Sequence, residues 1–162
     1  MPSARSGPPA PVDEVPRPGI AAGVALEVGA ADTADALGSG DVPVLATPRL
    51  IALCEEASCR ALDGHVAEGR TSVATRVRFD HLAPVAIGAT VTAEATLVRV
   101  EGRRLTFALS ATLRSDACAD VVGAGRLTRV LVDRSAFLAK AQLSRGAKAS
   151  GGRQDPTAAP AS

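Results

Sequence analysis

The 162-residue chain carries 18 basic and 17 acidic side chains, a net charge of +1, no Trp or Tyr and three Phe. A charge that balanced, with no basic block and few rings to stack on bases, excludes a nucleic-acid surface. No run of about 18 apolar residues offers a membrane span.

By length this is one domain, and its ends read as non-globular. Residues 1–18 hold six prolines, and residues 144–162 are mostly Gly, Ala, Ser and Pro. Neither segment buries enough apolar surface to offset the entropy of ordering it. The expected folded unit is residues 19–143, large enough to bury about two-thirds of its unfolded surface. The apolar stretch Ile20–Ala31 is broken by Glu27 and preceded by prolines rather than basic residues, so it reads as part of the fold and not as a secretion leader.

Residues 22–29 alternate weakly and predict a first strand. Residues 31–45 are small and turn-rich, with a short helix expected at 32–37. Thr47-Pro48 marks a helix start, the Thr hydroxyl capping free amides and Pro losing no hydrogen bond at the first helical position. Leu50, Leu53, Cys54, Ala57 and Ala61 then recur at helical spacing up to a stop at Gly64. After Gly69 the period becomes two. Val73, Val77 and Phe79 are expected on one face of a strand ending at His81, with Arg76, Arg78 and Asp80 on the other. Alternation resumes at Thr90–Leu97, turns at Glu101-Gly102 and continues through Leu105–Leu113. A last strand, Val121–Val132, holds Gly123 and Gly125, which predict a bend or the close approach of another backbone. Asp133–Leu143 reads as a terminal helix. The pattern is α+β: one long helix packed on an antiparallel sheet, the last four strands joined by hairpins.

Cys54, Cys59 and Cys118 include no C-x-x-C pair and fit reduced thiols in a cytoplasm. His65 and His81 neighbour neither a Cys nor a second His, so neither a metal nor an organic cofactor is called for. On the helix, Glu56 falls about 240° from Leu50 and can pair with Arg60. Glu55 falls at about 140°, on the shoulder of the buried stripe. It reads either as a snorkelling boundary carboxylate or as a partly buried general base. His81 points inward with Val77 and Phe79. Arg129 shares parity with Leu127 and Leu131, and an inward Arg wants a carboxylate or phosphate partner. Thr47 is sufficiently explained as a helix cap.

In combination these residues resemble a known family. Ala46-Thr47, Glu55 within LIALCEEAS, the stretch VATRVRFDHLAPVAIGATVTAEA and the hairpin VRVEGRRLTFALSA look like the fluoroacetyl-CoA-type thioesterases of the hotdog superfamily. The resemblance covers about residues 22–140. It implies a hotdog fold of about five strands on one helix, and hydrolysis of a small or medium acyl thioester carried by CoA or a carrier. It implies a catalytic group of Thr47, Glu55 and His81, with Arg129 and Ala74 at the substrate. It also implies a homodimer whose sites form at the interface, so that helix residues reach His81 of the partner subunit. Ala74 stands where the family has Gly, and Gly38–Leu45 lacks the family's aromatic lid. A hotdog enoyl-thioester hydratase, which would also use a His and a carboxylate, is the alternative enzyme. A non-catalytic acyl-CoA-binding domain would not need Thr47, Glu55 and His81 together.

Overall fold

The computed structural model describes residues 15–114 and 118–149. Strand β1 (Ala21–Glu27) leads through a 3-10 turn (Ala30–Asp32) and a short helix α1 (Ala34–Leu37) to the long helix α2 (Thr47–Ala61). Four strands follow, β2 (Arg70–His81), β3 (Thr90–Glu101), β4 (Arg104–Arg114) and β5 (Ala119–Asp133), and then helix α3 (Arg134–Ala149). One antiparallel five-stranded sheet has the order β1-β3-β4-β5-β2. The alternation of β3 and β4 works as the sequence predicts: Val91, Ala93, Ala95 and Leu97 face Leu105, Phe107 and Leu109 on the covered side, all buried. Leu50, Leu53, Cys54, Ala57 and Ala61 lay the stripe of α2 onto that face.

The hairpin expectation fails for β2. It pairs with β5, not β3, so the segment after His81 crosses from one edge of the sheet toward the other. Gly123 and Gly125 explain the pairing. A Cβ on Gly123 would sit 2.5 Å from Cζ of Phe79, and one on Gly125 would strike the Arg78 carbonyl. The glycines therefore mark close approach of β2, and β5 also carries an irregularity beside Gly123, where its register with β4 shifts between Ala111 and Thr112.

The expected shared face of Val73, Val77 and Phe79 is also corrected. The β2–β5 register shifts between Ala74 and Arg76, and one extra residue in a strand inverts the parity of everything before it. Ala74 lies opposite the inward Arg129, whereas Val73 lies opposite Val130 on the outer face. At the C-terminus α3 continues to Ala149, six residues past the expected end at Leu143. Residues 1–14 and 150–162 of the two expected tails lie outside the described residues.

Candidate active site

Helix α2 begins one residue earlier than its sequence signal suggests. Ala46 is the N-cap residue, with extended backbone and no side-chain cap, and Thr47 is the first helical residue. The Thr47 hydroxyl is therefore not spent on the helix. It meets Nδ1 of His81 at 2.8 Å, within the same chain. The geometry that frees it is a short network: Leu45 N–H bonds the Val85 carbonyl at 2.8 Å, and Leu82 N–H bonds the Val122 carbonyl at 2.7 Å. These bonds hold the chain before Thr47 and the chain after His81 against the same sheet end. Nε2 of His81 is buried and has no hydrogen-bond partner among the described residues.

A clasp braces the start of α2. Asp32 accepts from Arg49 Nε at 2.7 Å and from the Gly29 amide at 2.9 Å. The Asp32 carbonyl accepts from Ala46 N–H at 2.9 Å. The Gly29 amide and the Arg49 guanidinium hold the Asp32 carboxyl below the usual carboxylate range. Asp32 carries no local signal in the sequence, because its partner stands 17 residues away.

Glu55 is half-buried on the shoulder of α2, as the helix angles predict, and Glu56 pairs with Arg60 at 2.7 Å on the solvent side. Eight residues along a helix separate Glu55 from Thr47 by about 12 Å. Within one chain, therefore, Thr47 and His81 come together and Glu55 stands apart. Beside Glu55, Cys54 is buried. Its burial first, and the neighbouring Glu55 charge second, push its thiol up to about 11.

Arg129 is 6% exposed, and the expected carboxylate or phosphate is not what meets it. Its Nε donates to Ser72 Oγ at 2.8 Å, Nη2 to the Ser72 carbonyl at 3.0 Å and Nη1 to Ser58 Oγ at 3.1 Å. Ser58 Oγ donates in turn to the Glu55 carbonyl at 2.6 Å. Ser58 carried a signal in the sequence: a hydroxyl four residues after Cys54 falls on the buried stripe and needs a partner. Neither Arg129 nor Ala74 borders the clefts that open at Thr47.

Known proteins share this arrangement of elements. Residues 28–135 match the family described as fluoroacetyl-CoA-specific thioesterase, FlK. A fluoroacetyl-CoA thioesterase of Streptantibioticus cattleyicolor is 36% identical over 97 residues, covering 60% of this chain and 67% of that protein. A crystal structure of a variant of the fluoroacetyl-CoA-specific thioesterase FlK superposes with a TM-score of 0.71 at 29% identity, covering 82% of this chain and 99% of the other. A thioesterase superfamily member of Thermus thermophilus gives 0.72 at 25% identity, covering 86% and 98%. The fold and its neighbours define a hotdog thioester hydrolase. The chain belongs to the fluoroacetyl-CoA-specific thioesterase family and is an acyl-CoA thioesterase.

Proposed function

We propose that Thr47, His81 and Glu55 carry the hydrolysis. The observation that supports it most is the 2.8 Å contact between Thr47 Oγ1 and His81 Nδ1 at the head of α2. With Nδ1 accepting, Nε2 carries the ring proton and Thr47 is poised to lose its own. The hydroxyl oxygen attacks the thioester carbonyl carbon as its proton passes to Nδ1. The developing oxyanion faces the first turn of α2, where the Thr47 and Arg49 amides are free of intrahelical bonds while Pro48 has no N–H and the Leu50 amide bonds the Ala46 carbonyl. Collapse breaks the C–S bond, and the thiolate takes the proton back from the imidazolium. Water, deprotonated by His81, then releases the acid from Thr47.

The buried Nε2–H calls for an acceptor, and a carboxylate orients an imidazolium best. Glu55 of the same chain is too far along α2. The 12-residue strand β2 lies at a sheet edge with one side unpaired, a ready template for a second copy. Pairing there supports a homodimer in which Glu55 serves the partner subunit's site. Unpaired Cys54 and Cys59 support a cytoplasmic location. No helix among the described residues is long and apolar enough to cross a membrane.

Thiol release from a panel of acyl-CoAs tests the site. Thr47→Ala, His81→Ala and Glu55→Ala should each abolish most of it. Mixing Glu55→Ala with His81→Ala subunits should then restore on the order of a quarter of the wild-type rate, since half the mixed dimers form and each regains one intact site. No recovery on mixing would place all three residues in one subunit.

A further inference from the structure

Two clefts meet at Thr47. One, of about 350 Å³, runs under the loop 39–44 and is walled by Ala34, Val42, Leu45, Leu82 and Pro84, with His81 at its floor. The other, of about 550 Å³, follows the flank of α2 past Ile51 and Ala52 to Glu55. Both include Ser39 and Thr47. A thioester has two limbs joined at one carbonyl carbon. If that carbon is held at Thr47, one limb enters each cleft.

The walls decide which limb goes where. The first cleft has no Asp, Glu, Lys or Arg on its lining. The second has the Glu55 carboxylate on its wall, a charge that an alkyl limb would desolvate. At the rim of the first cleft, Val42 and Leu82 are 48% and 59% exposed. Apolar side chains this open beside a reacting hydroxyl are what an alkyl chain would cover. The roof is held in shape. Ser39 N–H bonds the Ala34 carbonyl, and Ala34 N–H bonds the Val44 carbonyl, both at 2.9 Å. A Cβ on Gly40 would come within 3.2 Å of the Ala34 methyl, so the loop packs flat on α1.

We infer that the first cleft receives the acyl limb, and that the enzyme prefers uncharged, unbranched acyl groups longer than two carbons, with Val42 and Leu82 setting chain length. This rests on the Thr47 site proposed above. A two-carbon acyl group leaves the walls uncovered and forfeits their dispersion contacts. A carboxylated acyl group would lose its hydration with no Lys or Arg on the described lining to meet it.

The test is kcat/KM for saturated acyl-CoAs of two to twelve carbons, with succinyl-CoA alongside. The expected profile rises about fourfold per methylene from two carbons before it levels, with succinyl-CoA on the order of 100-fold below butyryl-CoA. Val42→Phe should move the optimum to shorter chains. Ala52→Phe, in the other cleft, should raise KM at every length and leave the optimum in place. An optimum at two carbons overturns the inference, as does an optimum that moves with Ala52→Phe and not with Val42→Phe. Absence of turnover at all lengths would count against the Thr47 site instead. The cleft would then be judged by calorimetry with non-hydrolysable alkyl-CoA thioethers. Affinity growing with alkyl length sustains it, and a flat series overturns it.

Discussion

The two ends of α2 solve opposite problems with similar residues. At its start, Thr47 and His81 share one hydrogen bond, two clefts open beside them, and a buried ring nitrogen is left without a partner. Toward its end, Arg129 is buried deeper, yet three of its donors are taken by Ser58 and Ser72. A buried guanidinium is the more costly group to leave unmet, and it is the one the fold satisfies. The satisfied end ties β5 to β2 and, through Ser58, to the backbone of Glu55. The unsatisfied end is where chemistry has room.

This contrast can be broken most sharply at the open end. His81→Ala or Thr47→Val should lower kcat/KM by about 10²–10⁴ with the urea unfolding midpoint nearly unchanged. A matching loss of stability would make the pair structural and erase the contrast. Next in size is Arg129→Met. Removing three charge-assisted bonds should cost about 2–4 kcal/mol in urea unfolding, with KM little affected. If KM rises and stability holds, the closed end touches substrate after all.

A smaller effect belongs to the clasp that braces the open end. The Asp32 carboxyl titrates lower in the folded chain than the ordinary 3.8. Its stabilisation is therefore complete above pH 3.8 and fades as pH falls through the lower folded value. Asp32→Asn should cost about 1 kcal/mol near pH 7, and the gap from wild type should close in acid. A gap that persists at the lowest pH would trace the loss to packing. The mildest probe is labelling. With its thiol at about 11, Cys54 should resist alkylation at pH 8 while exposed Cys59 reacts. Comparable rates, read by mass spectrometry of the modified peptides, would show α2 lifting from the sheet between its two ends.

Periodicity alone exposed the stripe of α2, the alternation of β3 and β4 and the solvent pairing of Glu56 with Arg60, because each depends on neighbours within a few residues. It also separated Glu55 from Glu56 by helix angle. It misassigned Val73, since a single extra residue at the Ala74–Arg76 bulge leaves no mark on composition. It read Thr47 as a cap, since a hydroxyl at a helix start looks the same whether it turns to the backbone or to a ring 34 positions on.

The amino-acid order by itself determined one amphipathic helix, a set of half-buried strands and two glycines where a strand bends or another backbone comes close, all consequences of local spacing. The resemblance carried by those residues pointed to the thioesterase family. Only tertiary structure decided that β2 lies beside β5, that Thr47 meets its own chain's His81, and that serines rather than a carboxylate receive Arg129. Those outcomes depend on which distant strands share hydrogen bonds, and pairing of that kind is settled by the competition of whole surfaces for burial rather than by any short run of residues.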